Sequence, residues 1–251
     1  MNAAEPPIVD LLSCDRSAID PMEDVARERR HHDDGRPWVF TNMIQSADGA
    51  TSIDGLSAPL GSPADLAILL ALRAVADVIV VGSSTASGEG YQPPNPSSAT
   101  RQARRSRSQS DRPLIAVVTS SLSISPSAPL FSDPSYRPLI ITTDNAPADR
   151  AAALGSVADL VVAGDTQVSL PQAIELLADR GHRHVLLEGG PILNGQFVVD
   201  DLIDEWNITF APLLVAGSAA RRPWTDAKPR TLTLARLWES GGLLFGRYLR
   251  G

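Results

Sequence analysis

The sequence predicts an α/β protein with a mostly parallel mixed sheet, helices on both faces and a C-terminal antiparallel hairpin. Three observations carry this. Short apolar runs recur at residues 78–81, 114–118, 139–141, 159–163 and 184–187, as strands buried on both faces of a parallel sheet require. Helical patterns alternate with the later runs, at 148–154, 171–180 and 191–199, which implies right-handed crossovers between parallel strands. Two last strand-like runs, 231–238 and 243–249, are joined through Gly241-Gly242, a hairpin signature.

In chain order, residues 1–35 mix prolines and charges and read as a peripheral, loosely packed lead-in, with a short helix over 22–30. The organised domain spans 36–251. Residues 38–46 (WVFTNMIQS) form a strand, being rich in β-formers and too short for a helix. Asp48-Gly49 and Asp54-Gly55 then mark turns. Ser62-Pro63-Ala64-Asp65 opens a helix with an N-cap serine, a first-turn proline and an acid. That helix runs to about Ala76, with Leu66, Leu69, Leu70 and Leu72 on one broad face. Residues 203–210 are a further strand. Residues 93–112 lack apolar periodicity and hold five arginines. They read as a solvated, mobile loop, or as a phosphate or nucleic-acid patch, although no aromatic interleaves with the arginines.

Composition narrows the function classes. Of 251 residues, 43% are hydrophobic and 20% charged, which excludes a wholly disordered chain. A net charge of −7 argues against a dedicated nucleic-acid binder. No apolar run reaches the ~18 residues of a membrane helix, and the N-terminus lacks a basic flank followed by an apolar stretch. Cys14 is the single cysteine, so neither an internal disulfide nor a cysteine-rich metal site is expected. A cytoplasmic protein is expected.

The strongest chemical signal is Leu186-Leu187-Glu188-Gly189-Gly190-Pro191-Ile192-Leu193. An apolar strand ends in an acid and two glycines, and a helix begins at a proline. Glycine lets backbone approach a ligand, and free N–H groups at a helix start attract an anion such as a pyrophosphate. The same residues would also suit a plain strand-to-helix turn. Gly82-Ser83-Ser84-Thr85 follows another strand, where ligands of open α/β sheets collect. No G-x-G-x-x-G fingerprint is present. Thr119-Ser120-Ser121 ends the 114–118 strand with hydroxyls in place of the acid that selects a free ribose 2′-OH. That favours NADP over NAD, though serines also end strands for turn reasons. Asn42, Ser46 and Asp48 cluster at the first strand's end, where Asp48 either orients a substrate or handles a proton, or simply makes a turn with Gly49. Arg73 lies in an otherwise apolar helix, binding an anion or snorkelling to the surface. The histidines, at 31, 32, 182 and 184, suggest no metal site, and neither a Walker loop nor a G-x-S-x-G elbow occurs.

Taken together, residues 43–49 (MIQSADG), 72–85 (LRAVADVIVVGSST), 186–193 (LLEGGPIL) and 201–214 (DLIDEWNITFAPLL) resemble the reductase domain of riboflavin biosynthesis. That domain is part of the bifunctional pyrimidine deaminase–reductase and has a three-layer, dihydrofolate-reductase-like fold. The resemblance implies an NADPH-dependent reductase. It would reduce 5-amino-6-(5-phosphoribosylamino)uracil, or a close ribosylaminopyrimidine, to its ribityl form, and would be a homodimer. By position, Asp48 and Glu188 carry over as catalytic, and Asn42, Ser46, Arg73 and Glu89 as substrate-binding. Gly82, Ser83, Thr85, Thr119, Ser120, Gly189, Gly190 and Leu193 carry over to the cofactor. The deaminase half needs an H-x-E and P-C-x-x-C zinc set that one cysteine does not supply, so a stand-alone reductase is expected. A pterin reductase of the dihydrofolate type, or a nucleotide- or nucleic-acid-binding protein, are the alternatives.

Three positions depart from the family pattern on the substrate side. Ala50 stands for a lysine, Leu66 for an arginine, and residues 87–93 replace a D-x-P-x-L-x-x-R stretch. Each lost basic group removes charge-assisted hydrogen bonds of about 1.5–3 kcal/mol to a substrate phosphate. Either arginines of 101–107 replace them or the substrate differs.

Overall fold

Apolar, β-branched stretches set the sheet, and the computed structural model, which describes residues 6–216 and 229–251, arranges them as ten strands. The elements run β1 (Val9–Asp10), α1 (Pro21–Arg27), β2 (Trp38–Ser46), α2 (Pro63–Val75), β3 (Val78–Gly82), α3 (Ser83–Gly88) and α4 (Ser98–Ser106). They continue as β4 (Leu114–Val118), β5 (Leu139–Thr142), α5 (Ala148–Gly155), β6 (Asp159–Val162), α6 (Leu170–Asp179), β7 (His184–Gly189) and α7 (Pro191–Val199). The chain ends in β8 (Glu205–Ala211), β9 (Leu232–Ser240) and β10 (Leu243–Arg250). The strand order is β1-β9-β10-β8-β2-β7-β3-β4-β5-β6. Pairing is parallel from β8 through β6, and antiparallel along β8, β10, β9 and β1.

Side chains alternate across a strand with period two, and the two cores show it. Phe40, Ile79, Val81, Ile115, Val117, Ile140 and Leu186 pack on the face covered by α1 and α2. Val39, Val78, Val80, Ala116, Ile141, Val185 and Leu187 pack against α6 and α7 on the other. The result is a three-layer α/β/α arrangement.

Helix α2 decides where one wall of the strand-tip region stands. The Ser62 hydroxyl caps its start, accepting from Asp65 N at 3.2 Å. Ala64, Ile68, Ala71, Leu72 and Val75 form its buried stripe. Its C-terminal carbonyls would be orphaned, and the arginine-rich segment satisfies them. The mobile-loop reading of 93–112 is therefore corrected: residues 98–106 form α4, capped by Ser97. Arg104 is fully buried, with Nη1 donating to the carbonyls of Ala76 at 2.7 Å and Ala74 at 3.1 Å. Arg107 donates to Ala74 O, and Gln109 Nε2 to Val75 O and Asp77. Arg105 pairs with Asp111. These groups meet the carboxyl end of α2, beside the amino ends of the strands.

The lead-in also differs from expectation. Its residues 1–5 lie outside the described residues; the rest is packed. β1 adds an edge strand to β9, and Val25 of α1 is fully buried against the core. A buried ion network anchors it. Glu205 accepts from Arg30 at 2.7 and 3.0 Å, Arg247 at 3.0 Å, Trp38 Nε1 at 3.1 Å and Asn207 at 2.9 Å. Glu28 pairs with Arg30 and Arg236. Other differences are small: α1 stops at Arg27, β8 begins at Glu205, and α3 forms from small polar residues with no helical periodicity. No helix among the described residues is long and apolar enough to cross a membrane.

Burial pushes the Glu205 carboxyl up, but the Arg30 and Arg247 guanidiniums outweigh it and hold it at about 2. Its folded value lies below the ordinary 4.5, so this stabilisation is present above that pH and lost as pH falls toward 2. Glu205→Gln leaves buried guanidiniums uncompensated and is expected to cost about 3–5 kcal/mol. Urea unfolding at neutral pH checks this, and the variant's stability is expected to change less than the wild type's between pH 4.5 and 2.

Candidate functional site

Parallel strands leave their carboxyl ends open on one edge. Here the tips of β3, β4 and β7 surround a cleft of about 440 Å³. Gly82, Ser83 and Thr85 line it from β3 and α3, and Thr119 and Ser120 from the turn after β4. Gly190, Leu193 and Gln196 line it from the start of α7, opposite Gln167 and Val168. The residues expected at a cofactor thus come together, apart from Gly189, which lies just behind the lining. A broader depression over β5 and β6 holds about 590 Å³, but it is more open and carries Asp144 and Asp165.

Two helices begin at this cleft without side-chain caps. α1, α2, α4 and α6 are capped by Asp20, Ser62, Ser97 and Ser169. α3 and α7 start instead at Gly82 and Gly190, with no side-chain cap bond, as α5 does at Pro147 outside this cleft. Their first N–H groups remain free for a ligand. The glycines also serve packing. A Cβ on Gly82 would lie 3.7 Å from Gly189 O, and one on Gly190 would lie 2.6 Å from Thr85 Oγ1. Gly189 has φ +87°, and the peptide joining it to Gly190 is cis.

Thr119 is nearly buried and its hydroxyl oxygen accepts from Leu122 N at 3.0 Å. Next to it, Arg150 Nη1 of α5 donates to Ser121 O at 2.9 Å. The sequence held no signal for this arginine, whose neighbour in space comes from a distant turn.

Toward α2 the cleft's surroundings become charged. Glu188 points to the α2 side of β7 and receives Arg73 bidentately, at 2.7 Å from Nε and 2.6 Å from Nη2. Tyr91 donates its hydroxyl to the same carboxylate. Burial opposes the Arg73 charge, but Glu188 outweighs it and keeps the guanidinium pKa above its ordinary value. Burial and the Glu188 charge push the Tyr91 hydroxyl well up, so it stays a donor. The snorkelling alternative for Arg73 is set aside by this pair.

Other residues expected at the substrate also make bonds that hold loops. Ser46 is fully buried; its Oγ donates to Asp48 at 2.5 Å and accepts from Ala50 N at 2.9 Å. Glu89 is held by Ser57 N and Oγ, both at 3.0 Å, and so ties the loop before α2 to the end of α3. Asp48 accepts from Val215 N at 3.2 Å and Ala216 N at 2.9 Å, joining the β2 tip to the chain after β8. Asn42 is half-buried on the α2 face of β2. Of the departures, Ala50 is fully buried and Leu66 is 53% exposed. Sequence reasoning missed Tyr91 and read Asp65 only as a helix-start acid. Asp65 Oδ1 accepts from Thr209 Oγ1 at 2.7 Å. Burial pushes its carboxyl pKa up, with Thr209 offsetting part of the rise.

The family model described as the RibD C-terminal domain matches residues 37–244. The chain belongs to the RibD C-terminal domain family. An Archaeoglobus fulgidus relative named 2,5-diamino-6-ribosylamino-4(3H)-pyrimidinone 5′-phosphate reductase is 30% identical over 183 residues, covering 72% of this chain and 83% of the relative. A Methanothermobacter thermautotrophicus protein of the same name is 30% identical over 187 residues, covering 74% and 82%. Among solved structures, a pyrimidine reductase-like protein from Corynebacterium diphtheriae gives a TM-score of 0.83 at 27% identity, covering 93% of this chain and 99% of that one. A Thermotoga maritima deaminase/5-amino-6-(5-phosphoribosylamino)uracil reductase gives 0.68 at 14% identity over 87% of this chain and 58% of that one, a likeness of fold. The three-layer architecture of this RibD C-terminal domain is shared with these solved structures.

The contact between Gly190 and Thr85 gives a test of the cleft's construction. Gly190→Ala is expected to lower stability by about 1–3 kcal/mol through overpacking. Adding Thr85→Ala is expected to recover most of that loss. Thermal unfolding of both single variants and the double variant checks this coupling.

Proposed function

We propose that this chain is an NADPH-dependent reductase of a phosphorylated ribosylaminopyrimidine, acting in the cytoplasm. The observation that carries the reading is the pair of uncapped helix starts, α3 and α7, opening on one cleft between glycine tips. Free backbone N–H groups and helix dipoles there suit a pyrophosphate. Gly82 and Gly190 keep side chains out of its way, with Ser83, Thr85 and Leu193 beside them. Ile192 lines the same cleft at 73% exposure, an apolar surface fit for a flat ring. Thr119, Ser120 and the nearby Arg150 suit a ribose 2′-phosphate, which favours NADPH over NADH. The names of the relatives support the reaction class.

When bound, NADPH would supply the hydride that turns the ribosylamino group into a ribityl chain. The chain's own part is positioning and electrostatics. Glu188, neutralised by Arg73 and held by Tyr91, presents a fixed carboxylate on the substrate side of the glycine tip. Asn42 faces the same side. Asp48 holds the β2 tip against the chain after β8, and Glu89 holds the loop that leads into α2. NADPH-consumption kinetics with the uracil substrate, its 2-amino pyrimidinone counterpart and dihydrofolate test the reading. Turnover of a ribosylaminopyrimidine phosphate with NADPH, and a much weaker rate with NADH, is expected. Turnover of dihydrofolate alone would overturn it.

We also propose a homodimer. One face of β8–β10 carries Ile208, Phe210, Leu234, Leu244 and Tyr248, and Leu234 and Leu244 are 40% and 37% exposed. Such a row of apolar residues on a sheet marks an interaction surface. Light scattering at micromolar concentration is expected to give twice the chain mass, and Leu244→Glu to give the monomer.

A further inference from the structure

One carboxylate on the substrate wall has no place in the reading above. Asp65, Leu69 and Arg73 lie on one ridge of α2, four residues apart. At its lower end Arg73 meets Glu188. At its upper end Asp65 is partly buried and bonded through Oδ1 to Thr209 on β8. Register gives its height. Thr41 pairs with Leu187 and Ile44 with Thr209, so Thr209 lies three residues further along, level with Gly190. β8 is two strands from β7, about 10 Å at ordinary spacing. Asp65 therefore stands across β2 from the diglycine tip, on the α2 side.

The helix itself does not require this burial. Ser62 already caps α2, and an exposed first-turn acid would serve the dipole equally. Burying a carboxylate is costly unless donors meet it. Thr209 meets Oδ1, and among the described residues no hydrogen-bond donor is recorded for Oδ2. The other acids of this wall are engaged: Glu188 by Arg73 and Tyr91, Glu89 by Ser57, and Asp48 by the backbone at 215 and 216. No basic residue lies on α2 before Arg73, so this corner suits N–H donors rather than a phosphate.

The two pyrimidines named above differ at C2. The 4(3H)-pyrimidinone carries an amino group there beside N3–H, giving two adjacent donors. The uracil carries an oxygen, which a carboxylate repels. N3 lies across the ring from C6, where the sugar nitrogen joins. An edge held at Asp65 thus turns the sugar toward β7.

We propose that Asp65 binds the N3–H and 2-amino edge of the pyrimidine and so selects the 2-amino substrate over the 2-oxo one. This deepens the reductase reading and rests on it. The test measures kcat/KM for both ribosylaminopyrimidine phosphates with the wild type, Asp65→Asn and Asp65→Ala, together with NADPH affinity by fluorescence. The wild type is expected to prefer the 2-amino form at least tenfold. An asparagine amide can donate to the C2 oxygen, so Asp65→Asn is expected to cut that preference at least tenfold, mainly through KM, with a gain for the uracil form. Asp65→Ala is expected to lose the preference without that gain. NADPH affinity is expected to stay within twofold throughout. An unchanged preference in Asp65→Asn would overturn the role of Asp65 and leave the reductase reading standing. Absence of turnover of either substrate by wild type would overturn the reductase reading itself. Binding of 2,6-diaminopyrimidin-4-one and 6-aminouracil to the wild type then separates the two failures and needs no variant to fold. Tenfold tighter binding of the diamino compound supports Asp65, and equal binding overturns it.

Discussion

The tips of β3 and β7 meet with no side chain between them, and the open cleft depends on that. Gly82 lies against the backbone of Gly189 and Gly190, and Gly190 lies against the Thr85 hydroxyl. Each strand therefore turns into its helix at once, and neither helix receives a side-chain cap. A serine or aspartate at either N-cap would satisfy the free N–H groups internally. Leaving them free forgoes about 1 kcal/mol of capping at each helix and keeps a site for an anion. The same residues thus explain both the close packing and the binding capacity.

The amino ends of the strands show the opposite treatment. There the C-terminal carbonyls of α2 are all met, by Arg104, Arg107 and Gln109. Asp77 adds bonds to the backbone of Arg183 and His184 at the start of β7. Helix α2 and strand β7 are in this way tied together at one end, and Arg73 meets Glu188 between them. An insertion that reads as polar and irregular is in fact the fastening of the wall opposite the cleft. Arg104 and Arg107 donate to peptide carbonyls, while Arg105 pairs with Asp111 and Arg112 with Asp133.

Strand positions were legible because buried parallel strands need continuous apolar runs. β2, β4 and α7 were read with the bounds observed, and the Ser62 start of α2 followed from capping chemistry. α4 was not legible: its stability comes from Arg104 reaching carbonyls some thirty residues away, which no local pattern reports. β1 has two residues and exists only through its pairing with β9. On the site, glycine-rich tips were visible as motifs. The bonds of Ser46 to Asp48 and to Ala50 N show only in the fold, because a turn-forming serine and a ligand-binding serine look alike in sequence. Arg150 and Tyr91 enter through long-range packing alone.

Asp65 shows why a first-turn acid is ambiguous until the sheet is known. In sequence, Ser-Pro-Ala-Asp is sufficiently explained by helix initiation, and that explanation is correct as far as it goes. The parallel register of β2 with β8 then brings Thr209 to its carboxylate. A residue chosen only for helix initiation has no reason to accept a buried hydrogen bond from a strand. Its raised carboxyl pKa reflects burial only partly offset by that bond, so a second set of donors would lower the free energy of its charged form further. Among the described residues one side-chain donor meets the carboxylate, Thr209 Oγ1 at Oδ1, and the proposed pyrimidine edge would supply the others.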